Sequence, residues 1–450
     1  YKMFPAVSGR WNIGREPFMR GLKERLDIYN LSLRASWGYS GNAGSNSNLY
    51  NRYGSVPFEY LGTSGIIPSN IASVSQEWQK TYQSNFGFDM DIFDGRFTLG
   101  YEYYVKRTTN MSASQAIPAV SGFSSVSMNA GAMKNEGWEF QISTRLVKKT
   151  DFGVDVAFNI SQNQNTITEL SDRWAVAQGD MSRNGQYLQT LRVNNPVGSF
   201  YGYRYLGVYA NEDQLWAKTK DGEPIYVPDG SGGWTQRMMT FYSSSRNYMF
   251  QPGDAIYADM NYDGNIDVQD IVYLGNSNPK YQGGGNFSIR YKQFRVNLYF
   301  NYRWGNDVWN KAKMNLERME NLENQSTAVL RRWRYPYADP ADQPADILPR
   351  PVYGANNSFN YLGSDRFIED ASFIRLNSMN IRYDLPKNLL AKLKIRTAYL
   401  TFNMRNIMTF TDYTGQDPEQ GSGGIPYGIA SDNNRTPPTK SYQMTLSVGF

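Results

Sequence analysis

The chain has 450 residues, with 46 Lys and Arg against 41 Asp and Glu, and it contains neither Cys nor His. Without these two residue types it cannot form disulfides, a Ser-His-Asp triad, a Cys-His dyad or a histidine-containing zinc site. The basic residues behind its net charge of +5 are dispersed, which predicts no nucleic-acid partner, and no apolar run approaches the ~20 residues of a membrane-spanning helix.

Apolar and polar residues alternate with a period of two along much of the chain, a pattern that predicts strands with two different faces. Within 97–106, for example, Phe97, Leu99 and Tyr101 share one face. The pattern predicts eleven long strands, at 1–13, 27–41, 75–93, 96–112, 133–148, 152–168, 282–292, 294–309, 369–384, 393–410 and 438–450. The alternation slips by one residue around 373–383 and around 395–405, which predicts a β-bulge in each place.

The connections between these strands alternate between short and long. Short turns are predicted at 94–95, 147–151, 291–293 and 385–393, and long loops at 42–74, 113–132, 169–281, 310–368 and 411–437. The segment 14–26 lies on the short side but is longer and partly helical in character, and 310–334 is predicted to be a helix within its loop. Long loops at one end only are typical of a transmembrane β-barrel, in which they face outwards and the short turns face the periplasm.

The two faces of the predicted strands favour the same fold. One face is rich in Arg, Asp, Glu and Asn, which a dry sandwich core could not hold unpaired but a wet barrel lumen can. The other would contact lipid, with aromatic girdles at its two ends. The girdle candidates are Trp37, Tyr39, Trp138, Tyr302 and Trp304 on the long-loop side and Phe93, Tyr291 and Tyr383 on the short-turn side. The alternative is a soluble secreted β-rich protein that binds glycans or has a structural role at the cell surface.

The number of strands predicts that the barrel is larger than this chain. Barrels of this class normally close with an even number of strands, and an open edge is not tolerated in lipid. We therefore expect an all-β chain that forms the C-terminal ~11 strands of a ~22-stranded plugged transmembrane antiparallel barrel, with a little helix in its long extracellular loops. The start at Tyr1 agrees with a longer precursor.

One acidic stretch, DMNYDGNIDVQD at 259–270, has the spacing of a calcium-binding loop. Gly264 stands at loop position 6, where the chain turns sharply. The candidate ligands at positions 1, 3, 5, 7, 9 and 12 are Asp259, Asn261, Asp263, Asn265, Asp267 and Asp270. Calcium takes six to eight oxygen ligands, and this spacing would wrap them around one centre. The alternative is a Gly- and Asp-rich turn with solvated acids. We predict a structural Ca²⁺ that fixes the long loop 169–281.

Aromatic and Asn/Asp residues crowd four loop stretches, 201–209, 230–250, 335–340 and 415–428. Flat aromatic rings stack on sugars, but the same residues also bind peptides or pack loops together, so no individual substrate-binding residue is predicted. The carboxylates form no recognisable acid–base pair, and we predict that the chain is not an enzyme.

The chain ends in SYQMTLSVGF, an alternating strand that closes on Phe450. Tyr442, Met444, Leu446 and Val448 would face lipid. In outer-membrane barrels a terminal aromatic residue serves as the signal for the insertion machinery, so Phe450 is predicted to be the assembly signal.

Several stretches resemble the C-terminal barrel region of SusC/RagA-like TonB-dependent transporters of Bacteroidetes. They are FPAVSGRWNIGREPFM (4–19), LSLRASWGYSGN (31–42), SMNAGAMKNEGWEFQIS (127–143), NPVGSFYGYRYLGVY (195–209), the long stretch 253–310 and STAVLRRWR (326–334). They occur in the family's order and cover nearly the whole chain. The resemblance is specific for the family and silent on the substrate.

The resemblance implies a bacterial outer-membrane barrel with extracellular loops that imports oligomeric nutrients, glycans more often than peptides. Its partners would be a SusD/RagB-like surface lipoprotein, membrane lipid and TonB, which acts through an N-terminal plug. Residues 1–450 would then be the C-terminal part of the barrel, with long extracellular loops at 169–281 and 310–368, and the plug, the TonB box and the N-terminal domain would lie outside these residues.

Overall fold

The computed structural model describes residues 2–43, 49–60, 63–74, 76–171, 181, 183–243, 246–354, 357–421 and 428–450. The strands are β1 (Ala6–Trp11), β2 (Ile28–Asn42), β3 (Tyr53–Tyr60), β4 (Thr63–Pro68), β5 (Gln79–Ile92), β6 (Phe97–Ala116), β7 (Ser125–Lys148), β8 (Phe152–Leu170), β9 (Ser199–Gly202), β10 (Tyr205–Val208), β11 (Tyr226–Pro228), β12 (Trp234–Gln236), β13 (Thr240–Ser243), β14 (Arg246–Met249), β15 (Ala255–Tyr257), β16 (Asn265–Ile266), β17 (Val272–Asn276), β18 (Tyr281–Tyr291), β19 (Phe294–Trp304), β20 (Asp307–Trp309), β21 (Ile368–Asp370), β22 (Phe373–Asp384), β23 (Thr397–Thr411) and β24 (Ser441–Gly449). The α-helices are α1 (Arg20–Leu26), α2 (Lys311–Glu317) and α3 (Lys387–Leu393).

The long strands form one eleven-stranded antiparallel sheet. Its order is β1-β2-β5-β6-β7-β8-β18-β19-β22-β23-β24, so neighbours in the sheet follow one another along the chain. These are the eleven strands that the alternation predicts. The all-β fold and its antiparallel sheet are therefore confirmed. The predicted and observed strands differ mainly at their ends.

The hairpin of β6 and β7 is longer than predicted. Pairing continues to Ala116 and Ser125, so most of the predicted long loop 113–132 is strand. The ladder is irregular between Thr108 and Ser112, and Asn110 there has a φ of 55°. This irregularity interrupts the period-two pattern and explains why the sequence placed the strand end too early.

The predicted bulge around 373–383 lies at Asn377. Ser378 pairs with both Tyr299 and Arg405, whereas Leu376 pairs with Phe300 and Met408. Relative to β19, β22 therefore has one extra residue, Asn377. Relative to β22, β23 has one extra residue, because the two residues 406–407 lie opposite Asn377 alone. The second bulge lies just beyond the predicted stretch 395–405, at a position where Asn406 has a φ of 52°.

The sheet has an apolar face that is largely uncovered and a face lined by polar and charged side chains, which we call the polar face. On β24, Tyr442, Met444 and Leu446 are each more than 60% exposed. On the polar face, Arg34 of β2 forms an ion pair with Asp89 of β5 at 2.9 Å. The prediction of two chemically different faces is confirmed.

Glycines on β18 allow close packing of aromatic rings on the apolar face. Gly283 pairs with Tyr302, whose hydroxyl donates a hydrogen bond to the backbone oxygen of Asn159 at 3.1 Å. A Cβ at Gly283 would lie 2.1 Å from that oxygen and 2.7 Å from the Tyr302 hydroxyl. Only glycine fits at this point of the sheet.

The helices are short, and among the described residues no helix has the length and apolar character needed to cross a membrane. Helix α1 confirms the helical character of 14–26, and α3 occupies the turn at 385–393. The predicted helix over 310–334 is wrong beyond Glu317. Here tertiary contacts override helix propensity, because Glu320 accepts a hydrogen bond from Asn184 in the other long loop while Leu322 is left exposed.

Candidate functional site

The two longest loops fold together into one body at the long-loop end of the sheet. We call this body the cap and define it as the described residues of 181–276 and 306–371. Its main hydrophobic cluster combines Tyr203 and Phe241 from the first loop with Phe359 and Leu362 from the second. The rings of Phe241 and Phe359 stack with their centroids 4.0 Å apart. The long loops are therefore not independent of one another.

A buried carboxylate, Asp254, joins the two halves of the cap. Its side chain is fully buried and accepts hydrogen bonds from the Arg350 Nε at 2.7 Å, the Tyr248 hydroxyl at 2.6 Å and the Gln251 backbone N–H at 2.9 Å. Burial, reinforced by the neighbouring Asp254 charge, raises the pKa of the Tyr248 hydroxyl, so this group remains a donor. Single charged residues within loops carry no sequence pattern, and sequence reasoning missed this link.

A second buried ion pair fixes α2 to the end of the same loop. Arg366 donates to Glu317 at 3.0 Å, and both side chains are more than nine-tenths buried. The Arg366 guanidinium also lies over the rings of Phe367 and Tyr205, at 4.8 Å and 5.2 Å from their centroids. These contacts offset part of the cost of burying the two charges, while the Arg366 Nη1 is buried without a hydrogen-bond partner.

The predicted calcium loop lies in the cap, between β15 and β17, and its turn is well defined. The Asp259 carboxylate accepts hydrogen bonds from the backbone N–H groups of Asp263 at 3.2 Å and Gly264 at 2.7 Å. Gly264 has a φ of +82°, which glycine adopts without strain. The Asp263 carboxylate accepts from the Asn265 N–H at 2.7 Å. The acidic side chains thus hold the backbone of the loop in place.

Asn261 lies in the same turn, where its side-chain amide donates a hydrogen bond to the Asp263 carboxylate at 3.0 Å. The remaining candidates belong to the following 3-10 turn or point elsewhere. Asp267 and Asp270 form a reciprocal capping box over that turn. Burial raises the pKa of the Asp270 carboxyl to about 6. The Asn265 side chain accepts hydrogen bonds from Arg237 and Thr240, so its backbone carbonyl is what remains for a ligand role. Within the described part of the chain, no group of three or more acidic side chains converges as a metal site.

The aromatic stretches divide into buried and exposed parts. Tyr201, Tyr203 and Tyr209 are buried in the cap, so loop packing accounts for the stretch 201–209. Trp234, on the hairpin of β11 and β12, and Tyr335 remain exposed. Residues 244–245 and 422–427, which belong to the predicted stretches 230–250 and 415–428, lie outside the described residues.

A cavity of about 290 Å³ lies against the polar face of the sheet, where β1, β2, β5 and β6 meet. Its lining residues are Ser8, Gly9, Arg10, Arg34, Ala35, Ser36, Asn85, Gly87 and Glu102. Arg34 is 3.5 Å from Glu102 and Arg10 is 3.7 Å from Asp89, so the charged side chains of this wall compensate one another.

Part of the connection between β23 and β24 also lies on the polar face. Arg375 of β22 is buried and forms ion pairs with Asp417 at 2.6 Å and Glu419 at 3.0 Å. Arg303 of β19 holds the other oxygen of Glu419 at 3.0 Å. Sequence analysis did not identify these contacts, because nothing in a loop sequence tells which wall residue it will meet.

The predicted assembly signal lies at the end of the last strand. Phe450 follows β24 and is 91% exposed, and the strand before it pairs along its whole length with β23. The structure thus places Phe450 at an accessible position; its role in assembly stays a prediction.

No protein-family model matches the chain, but it is similar in sequence to several proteins named as TonB-dependent receptors. Two TonB-dependent receptors of Formosa agariphila, P39 and P3, are 30% and 29% identical to 99% and 100% of this chain. The TonB-dependent receptor SusC of Bacteroides thetaiotaomicron is 26% identical over 99% of it. The chain spans 40–42% of the length of these relatives.

Solved structures show the same fold. The structure of the RagAB peptide transporter has a TM-score of 0.72 at 22% identity and covers 99% of this chain and 43% of that chain. The RagAB peptide importer in its "open-open" state gives a TM-score of 0.69. The likeness extends over the sheet and the cap alike.

Proposed function

We propose that this chain belongs to an outer-membrane importer of oligomeric nutrients. The premise is that the chain is a homologue of the TonB-dependent receptors and is folded as the C-terminal part of their barrel. TonB would energise import through a plug that lies outside this chain. The relatives are named as receptors, and we assign no enzymatic role. The activity, substrate and partners of the whole protein are all part of this proposal.

The single observation that carries the proposal is the two-faced sheet. Its apolar face is uncovered from Val7 on β1 to Val448 on β24, and uncovered apolar area of this extent is unfavourable in water. Its polar face carries ion pairs such as that of Arg34 with Asp89, which suit a wet lumen. We infer that lipid covers the first face and that substrate passes along the second, with the cap outside the cell.

We propose an oligosaccharide as the substrate class, in preference to an oligopeptide. Support comes from exposed aromatic rings such as Trp234 and Tyr335, since flat rings stack on sugars. RagAB is described as a peptide transporter, so a peptide is the second candidate. The long-loop end, with the cap, would receive a SusD/RagB-like surface lipoprotein as its lid.

Uptake by cells that carry the full-length protein and its neighbouring lipoprotein gene tests this proposal. We expect accumulation of labelled oligosaccharides that stops when TonB is depleted. Accumulation of oligopeptides instead would replace the substrate class but keep the importer. A full-length protein that purifies without detergent and shows no heat-dependent shift on a gel would favour the alternative, a soluble surface protein.

We also propose that the loop 259–270 binds a structural Ca²⁺. The supporting observation is that Asp259, Asp263 and Gly264 already form the turn that such a loop requires. Bound calcium would draw the carboxylate oxygens around one centre and stiffen the cap. Metal analysis of the full-length protein, with Asp263→Ala as the comparison, tests the assignment.

A further inference from the structure

Three arginines lie in one row across three neighbouring strands, close to the short turns. Arg290 of β18 is paired directly with Arg295 of β19, and Arg295 is paired directly with Arg382 of β22. All three alternate with apolar neighbours and share the polar face. Directly opposite side chains have Cβ atoms about 5 Å apart, and like charges in that arrangement destabilise a sheet. We call this row the arginine arc.

The described surroundings neutralise the arginine arc only in part. Arg382 donates from Nε and Nη2 to one oxygen of Asp384, at 2.8 Å and 2.6 Å, and lies 3.7 Å from the centroid of the Tyr399 ring. Arg290 donates to the backbone oxygen of Lys149 at 3.1 Å. For Arg295, which is exposed at the centre of the row, the described residues supply no hydrogen bond or ion pair.

The next acid along the sheet does not correct this imbalance. Asp155 of β8 lies opposite Ser288, one polar-face position from Arg290, and is exposed. It also lies opposite Arg145 of β7, which adds a further positive charge. The five strands from β7 to β22 therefore contribute Arg145, Arg290, Arg295 and Arg382 against Asp155 and Asp384 at this level, and the adjoining turns add Asp151 and Lys292.

We propose that the arginine arc is a binding site for an oxyanion group, that is a carboxylate, sulfate or phosphate. Guanidinium groups match such groups in shape and bind them with charge-assisted hydrogen bonds. An anion at Arg295 would replace the repulsion along the row by attraction. It could come from a solute in the lumen or from an acidic side chain of the protein outside this chain, since the relatives are more than twice as long.

The test is the sign of the stability change in the full-length protein. We compare R295Q with R405Q, because Arg405 is also exposed on the polar face but lies opposite Ser378 and Ser441 instead of other arginines. The thermal unfolding midpoint in detergent is measured at increasing citrate concentration, with chloride holding the ionic strength constant. An anion that binds the folded state raises the midpoint.

Two outcomes support the proposal and separate the sources of the anion. The first outcome is a saturable rise of the unfolding midpoint with citrate. This rise persists in R405Q but needs at least 10-fold more citrate in R295Q, and it identifies a site for solutes. No effect of citrate, together with a midpoint several degrees lower in R295Q than in R405Q, identifies an acid of the protein itself.

The opposite sign overturns the proposal. If no anion binds, removing one of three aligned charges relieves repulsion, so R295Q has a midpoint equal to or above that of R405Q, and any rise with citrate is unsaturated and equal in the two variants. If R295Q does not fold, the citrate titration is carried out with R295K instead, because this variant keeps the positive charge. These measurements involve no transport step, so they stand apart from success or failure of uptake.

Discussion

Replacing Arg350 by Ala is expected to open the cap. The change leaves the Asp254 carboxylate buried without its cation, and breaking a buried ion pair costs about 3–5 kcal/mol. Asp254 keeps the Tyr248 hydroxyl and the Gln251 N–H as donors, which places the expected cost at the lower end, about 3 kcal/mol. This corresponds to about a 100-fold larger population of the open cap.

The control lies in the same loop. Arg331 contacts Asp346 at 2.6 Å, which is as short as the pair of Arg350 with Asp254, but its two side chains are 45% and 65% exposed. An exposed pair contributes about 0–1 kcal/mol, so Arg331→Ala should increase opening by less than about 5-fold. Distance is thus held constant while burial changes.

Limited proteolysis of the folded full-length protein measures the opening. At low protease concentration, the rate of cleavage inside the cap follows the open population. We expect Arg350→Ala to be cleaved about 100-fold faster than the unmodified protein, whereas Asp254→Ala in the same chain restores part of the protection by removing the unpaired charge. Equal cleavage of Arg350→Ala and Arg331→Ala would refute the reasoning from burial.

Three further predictions concern the sheet, the acidic loop and the terminus. Gly283→Ala should destabilise the barrel by about 2–4 kcal/mol through overpacking and loss of the Tyr302 hydrogen bond. Gly9→Ala should change the stability little, because its Cβ would meet nothing within 4 Å. Urea unfolding in detergent checks both variants, and similar unfolding midpoints would contradict the packing argument. Calcium should slow proteolysis around the loop 259–270 in the full-length protein, and Asp263→Ala should abolish this protection; protection that is equal with and without the metal would exclude the site. Deletion of Phe450 should reduce the heat-shifted, membrane-inserted fraction, and normal insertion of the deleted protein would exclude an assembly role.

The sheet could be predicted because its signal is local. Each long strand carries its own alternation, so 294–309 reveals two faces without reference to its neighbours. Strand ends carry a weaker signal, since the irregular pairing around Asn110 removes the alternation before the strand stops. The sequence therefore predicts the number and order of the long strands better than their lengths.

The cap could not be predicted because its contacts are distant in sequence. Its strands are two to five residues long, too short to show a period of two. The sequence predicts a helix over 310–334, but Leu322 is 93% exposed and the chain beyond Glu317 follows contacts with the other loop. Within the candidate site, the turn at Gly264 agrees with the motif, whereas calcium itself stays a prediction.

The shared core of the cap also sets an order for folding. Tyr257 donates a hydrogen bond to the backbone oxygen of Phe359, 102 residues later in the chain. Asp254 pairs with Arg350, which follows it by 96 residues. When β8 and β18 are first joined, the aromatic residues of the first loop have no cover, and contacts of such high sequence separation form slowly. Until β22 is in place, the half-formed cap exposes apolar surface to chaperones and proteases. Correct folding of the middle third of the chain therefore depends on the last third.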